Sequence, residues 1–226
     1  MKVFAISDLH LSINNPKPMD IFGPVWDNYF DKIVNDWKEK VGEDDVVLLA
    51  GDFSWAMKLD DAVADLNLVG TLPGKKIIIR GNHDYWWDSV SQLRNVLPNN
   101  FYAIQNDSLK IDKYIFCGTR GWTFDDEKLK SRELIRLEMS IKSAIQQKEE
   151  NDEIICMMHY PPYEKGYKPT EFTDMIEKYG IKKVVYGHLH GVWNNKASKI
   201  ATINDVQYFL TSCDLVDNKL TLIAED

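Results

Sequence analysis

Five short apolar runs in this chain each stop at a turn that carries Asp, Asn or His. Val3 to Ser7 leads into Asp8-Leu9-His10, and Val46 to Ala50 leads into Gly51-Asp52. Ile77 to Ile79 opens onto Arg80-Gly81-Asn82-His83-Asp84, Ile154 to Met158 onto His159, and Val184 to Tyr186 onto Gly187-His188-Leu189-His190. Short apolar runs bounded by turn residues predict buried strands. Gly81 lets the backbone turn without a Cβ penalty. The pattern delivers polar side chains to the exposed ends of rigid elements, where catalytic groups tend to sit.

Between these runs the period changes to that of helices. Trp26, Phe30, Ile33, Trp37 and Val41 predict a helix over 25–41 with Gly42 as its C′ residue, after an irregular loop that holds Pro16, Pro18 and Pro24. Further helices are predicted over Leu59 to Val69, Ser89 to Val96 and 171–179. The longest runs from a cap at Asp125 or Asp126 to about Lys148, with Leu134, Leu137, Ile141 and Ile145 on one face and a Glu138–Lys142 pair on the wet side. Phe101 to Ile104, Leu109 to Ile111 and Tyr114 to Cys117 alternate like antiparallel strands. The last third, Ile200 to Ile203, Val206 to Ser212 and Leu220 to Ala224, reads as β with polar turns at Asn204-Asp205 and Asp217-Asn218. The ligand-bearing strands interleave from residue 3 to residue 190, so residues 1–226 are expected to form one domain. From the residues alone the fold class is layered α/β with much mixed sheet.

Composition narrows the function classes. The net charge is −8, and an acidic chain gains little from the counterion release that drives binding to nucleic-acid backbones. Cys117, Cys156 and Cys213 sit inside apolar runs with no CxxC pair, which predicts buried reduced thiols rather than disulfides. The N-terminus begins directly on a strand, and no apolar run reaches membrane-spanning length, so a cytoplasmic location and no membrane partner are expected.

The five histidines, His10, His83, His159, His188 and His190, all follow the apolar runs closely, and none lies elsewhere. The order D-x-H, GD, GNHD, a later H and then GHxH resembles the calcineurin-like metallophosphoesterase superfamily. The motifs span residues 8–190 with none missing. The flanking text, GDFSWAM, RGNHDYWW and MHYPPY, is similar to a bacterial branch of predicted phosphohydrolases. The resemblance implies a four-layer α/β/β/α sandwich and two divalent cations about 3.5–4 Å apart. Manganese is expected first, with iron, zinc or a mixed pair as alternatives. It assigns Asp8, His10 and His190 to one cation, Asn82, His159 and His188 to the other, and Asp52 to the bridge between them. Such a donor set, oxygen and imidazole without thiolate, suits hard and borderline divalent metals.

The implied reaction is hydrolysis of a small phosphodiester or phosphomonoester by a hydroxide held between the cations. His83 would face the leaving group as proton donor or electrostatic stabiliser. Asp84 would either orient the His83 ring and raise its pKa or serve as an ordinary turn or cap carboxylate. Arg80 and Arg120 either bind phosphate or form surface salt bridges. Trp55, Trp86, Trp87, Trp122, Tyr160 and Tyr163 lie near the motifs, where they either stack on a flat leaving group or pack under the ligand loops. Loop 11–24 and segment 160–170 are the expected rims of an open cleft. Two other readings stay in view: a nuclease, with long duplexes disfavoured by the acidic balance, and a non-catalytic interaction module. The oligomeric state is not readable from the sequence.

Overall fold

The computed structural model describes residues 1–122, 126–191 and 199–226. In chain order its strands are β1 (Lys2–Ile6), β2 (Val46–Leu49), β3 (Lys75–Ile78), β4 (Phe101–Ala103), β5 (Ser108–Ile111), β6 (Tyr114–Thr119), β7 (Glu153–Met158), β8 (Lys183–Tyr186), β9 (Ile200–Ile203), β10 (Val206–Leu210) and β11 (Thr221–Glu225). Its helices are α1 (Tyr29–Lys40), α2 (Leu59–Gly70), α3 (Val90–Val96), α4 (Glu127–Gln147) and α5 (Glu171–Lys178). Two mixed sheets result, with the orders β11-β1-β2-β3-β4 and β5-β6-β7-β8-β10-β9. Strands β1 to β4 are mutually parallel, as are β6, β7, β8 and β10. The antiparallel partners β11, β5 and β9 lie at sheet edges.

Strand alternation explains why both sheets are apolar throughout. Val3, Ala5, Val46, Leu48 and Ile77 point to one side and meet Phe116, Ile155, Met157, Val185 and Phe209 in the layer between the sheets. Their neighbours Phe4, Ile6, Val47, Leu49 and Ile78 face outward and pack under Ile33 and Trp37 of α1, Leu66 and Val69 of α2 and Leu93 of α3. On the far side, Ile115, Cys156, Val184 and Tyr208 pack under Leu137 and Ile141 of α4 and Phe172 and Ile176 of α5. Strands buried on both faces read as continuous hydrophobic runs. The order of layers is therefore helix, sheet, sheet, helix, as the resemblance implies. The three cysteines are buried and free. Among the described residues no helix is long and apolar enough to cross a membrane.

Four local expectations are corrected. The helix over 25–41 divides into a 3-10 turn at Pro24–Trp26 and α1, because Asn28 adopts φ 50° and breaks the helical path. Its exit passes through extended Val41 (φ −99°, ψ 125°) and uses no left-handed glycine. Phe101–Ala103 runs parallel to β3 in the first sheet, whereas β5 and β6 form a hairpin at the edge of the second; alternation within a short strand does not name its partner. On α4, Leu137, Ile141 and Ala144 face the core while Ile145 is exposed. Asp126 caps this helix by accepting from the Leu129 N–H at 2.9 Å, and Asp125 lies outside the described residues.

Leu137 is fully enclosed between α4 and the second sheet. Leu137→Ala is expected to lower unfolding stability by about 2–5 kcal/mol through lost contacts and a residual cavity. Urea unfolding should show a lower midpoint at unchanged slope.

Candidate metal centre

The C-terminal ends of β1, β2, β3, β7 and β8 open at one mouth, where the two sheets are tied together. Ser7 N–H donates to the Thr211 carbonyl at 2.8 Å and Cys213 N–H to the Ser7 carbonyl at 3.1 Å. The turns after β1 and β2 lie side by side through Asp8 N–H to Gly51 O and His10 N–H to Asp52 O, both 3.0 Å. Asp8, His10, Asp52 and His188 hold left-handed backbone angles, with φ of 59°, 47°, 51° and 70°. Each such residue costs about 1–2 kcal/mol, so this loop geometry persists only because the surrounding hydrogen bonds over-determine it. Two close approaches explain the glycines. A Cβ on Gly81 would strike the backbone N and Oδ1 of Asp52, and one on Gly187 would strike the Asp8 carboxylate.

The seven candidate ligands converge. His10 Nε2 lies 3.3 Å from His190 Nε2, which is 3.5 Å from Asp8 Oδ1. Asn82 Oδ1 lies 2.6 Å from His159 Nε2 and 2.8 Å from His188 Nδ1. Asp52 Oδ2 stands between these groups, 3.5 Å from His159 Nε2 and 3.9 Å from His10 Nε2. Its other oxygen accepts from the His83 backbone N–H at 2.7 Å. Among the described residues two clusters are thus suited to metal ions: Asp8 with His10 and the partly buried His190, and the fully buried Asp8 with Asp52 and His159. Asp8 belongs to both clusters, so it shares the middle of the site with Asp52.

Hydrogen bonds behind the ligands fix which ring nitrogen faces inward. His159 Nδ1–H donates to the Ala50 carbonyl at 3.0 Å, which leaves Nε2 as the free lone pair. His190 Nδ1 pairs with Asp214 Oδ1 at 2.9 Å, and Gly191 N–H donates to the other Asp214 oxygen at 3.1 Å. Sequence reading missed Asp214, although it follows the run 206–212 just as the other ligands follow theirs. Carboxylate partners of this kind orient metal-binding imidazoles.

Electrostatics suit three of the four candidate imidazoles to ligation. Burial pushes His10 and His159 down to about 3 and His188 to about 4, so all three rings are neutral at physiological pH, as ligation requires. His190 runs the other way: burial opposes protonation, but Asp214 and Asp8 lift it to about 10. Burial, then Asp84 and Asp8, pushes the Asp52 carboxyl well up. Burial also opposes ionisation of Asp8, yet the His190 hydrogen bond holds its pKa low. Crowded carboxylates of this kind call for a cation, and oxygen and imidazole donors fit divalent metals.

Asp84 does not face His83. Its two oxygens accept from the backbone N–H groups of Asp52 (2.9 Å), Phe53 (2.9 Å), Ser54 (3.3 Å) and Gly81 (2.7 Å) and from the Trp86 indole (2.9 Å). It knots the turn after β2 to the turn after β3. The half-buried His83 ring packs 4.6 Å from Trp55 and 5.8 Å from His10. Burial and then Lys17 lower its pKa, contrary to the rise expected from Asp84. Arg80 and Arg120 point into a separate cavity with Arg132, Glu133 and Arg136, lined by none of the seven ligands.

The aromatic residues divide by role. Trp86 and Trp87 are buried, their indoles donating to Asp84 and to Gln105 at 2.7 Å. Tyr163 packs against Tyr186 and Tyr208. Trp55 instead stacks on His10 at 4.6 Å beneath the Lys17 ammonium, and Tyr160 lies 4.1 Å from His188. Lys17 and Trp55 thus stand at the mouth, while Tyr160 is buried beside His188.

The sequence profile of the calcineurin-like phosphoesterase family matches residues 1–192. Similarity to solved structures is distant. A protein of unknown function from Aquifex aeolicus superposes with a TM-score of 0.53 at 16% identity, covering 98% of this chain and 95% of the other. A structure described as a novel archaeal phosphodiesterase gives a TM-score of 0.42 at 18% identity, over 95% and 86%. No curated protein matches.

Asp84→Asn puts an amide N–H against a wall of donors. It should weaken metal binding about 10–100-fold, the usual penalty for losing support behind a ligand. Calorimetric titration with manganese measures this. An affinity equal to wild type would show that the knot is dispensable.

Proposed function

The chain belongs to the calcineurin-like phosphoesterase family, and from that premise we propose that it hydrolyses a small phosphodiester or phosphomonoester with two divalent cations, manganese in the first instance. The observation that carries this reading is Asp52, whose Oδ2 faces His10 on one side and His159 on the other. In this reading Asp8, His10 and His190 hold one cation, Asn82, His159 and His188 the second, and Asp52 spans both, with Asp8 close to each group. When bound, such a pair acidifies a water nucleophile and offsets charge on the phosphoryl oxygens.

The chain's own residues supply the remaining chemistry. His83 stands beside His10 on the Trp55 ring, half open to the mouth, and offers a ring N–H to the leaving oxygen. Burial favours its neutral form, so it acts as a hydrogen-bond donor and needs no permanent charge. Trp55 fixes the planes of both rings, and Asp214 holds His190. The acidic balance and lack of a basic stripe keep long duplex nucleic acid outside this reading. A single domain over residues 1–226 and a cytoplasmic location belong to the same proposal.

Manganese-dependent hydrolysis of bis(p-nitrophenyl) phosphate is expected, abolished in Asp52→Ala. Full turnover in chelator-stripped protein would refute the metal mechanism. His83→Ala should keep both metals while turnover falls about 10²–10⁴-fold, less for leaving groups that need no proton. Metal loss in that variant would make His83 a ligand instead.

A further inference from the structure

The chain contains only five arginines, and four of them, Arg80, Arg120, Arg132 and Arg136, line one cavity of about 150 Å³. They come from three places far apart in sequence: the turn after β3, the end of β6 and the first half of α4. Glu133, a fully buried carboxylate on α4, is the shared partner of Arg120, Arg132 and Arg136. It binds Arg136 at 2.8 Å, lies 3.6 Å from Arg120 and 3.7 Å from Arg132, and accepts from Thr119 Oγ1 at 2.7 Å. Among the described residues the other carboxylate in the lining is Asp88. Among the described residues, four guanidinium groups thus share this lining with two carboxylates, in a protein whose net charge is −8.

Arg80 makes no ion pair among the described residues, and the buried Nε atoms of Arg80 and Arg120 have no hydrogen-bond partner there. A buried donor left unpaired is costly, and a planar fork of N–H groups matches the oxygens of a phosphate. We propose that this cavity is a phosphate subsite, separate from the metal centre, which takes either the second phosphate of a substrate or free inorganic phosphate. It adjoins the centre through the chain itself: Arg80 precedes Gly81-Asn82, and the Arg120 carbonyl accepts from the N–H groups of His159 and Tyr160. Glu133 acts as the positioning residue, holding Arg136 while Arg80 stays uncommitted.

Inorganic phosphate binding to the metal-loaded full chain, read by calorimetry, tests the subsite. The expected result is binding that survives Asp52→Ala and weakens at least about tenfold in Arg132→Ala. Arg132 is half exposed and off the core, so its loss should leave the melting temperature unchanged. Should the Asp52 variant fail to fold, stoichiometry decides in the native chain: Arg132→Ala must bind one phosphate fewer than wild type. Binding that is absent, that vanishes with Asp52, or that ignores Arg132 overturns the proposal. These readouts stand apart from turnover, so they can fail while the metal reading holds, and the reverse. The source is then set by comparing a nucleoside 3′,5′-bisphosphate with the 5′-monophosphate, an arm that does rest on the hydrolase reading. A KM increase in Arg132→Ala confined to the bisphosphate identifies a substrate phosphate; unchanged KM for both identifies free phosphate.

Discussion

Three carboxylates buried within one loop cluster, Asp8, Asp52 and Asp84, set the terms for everything around them. A buried charge must be met by donors, by opposite charge or by loss of ionisation. Asp84 is met by donors: four backbone N–H groups and one indole surround it. In meeting it, those donors fix the relative position of the turns after β2 and β3. Asp8 is met by the Ser7 hydroxyl at 2.6 Å, by the His188 backbone N–H at 3.0 Å and by His190. That binds the turn after β1 to the turn after β8, across the two sheets. Asp52 is met only in part, with one oxygen on the His83 N–H and the other left among imidazoles. The fold therefore surrounds two aspartates with donors and gives the third a single backbone N–H, leaving its Oδ2 among imidazoles.

Left-handed residues and glycines follow from the same demand. Turns tight enough to aim successive side chains at one point put Asp8, His10, Asp52 and His188 at positive φ, a region open to Asp, Asn and His more readily than to branched residues. Gly81 and Gly187 are small because aspartates press against them. Neither feature adds stability. Both buy convergence of side chains from five strands.

Much of this was legible in the sequence, for reasons that can be named. Strands buried on both faces give unbroken apolar runs, so β1, β2, β3, β7 and β8 stood out, and their polar endings marked the mouth. Asp84 was visible as a carboxylate but not as a knot, because its donors are backbone groups that carry no sequence signature. Asp214 was passed over because Thr211-Ser212-Cys213, polar and thiol residues, separate it from the end of β10 and hide the boundary. Glu133, Arg132 and Arg136 read as an ordinary charged face of a long helix. Only packing reveals that Glu133 turns inward under Thr119 and draws Arg120, from the end of β6, to Arg132 and Arg136 of its own helix. Partner choice at β4 and the break at Asn28 depended on tertiary context in the same way.

The central claim is that Asp52 stands between two cations held by side chains from both sheets. Crystals grown with excess manganese and measured near the manganese absorption edge test it directly through anomalous scattering. The account predicts two peaks flanking the Asp52 carboxylate, one beside His10 and His190 and one beside Asn82, His159 and His188. A single peak, or two peaks both distant from Asp52, would contradict it.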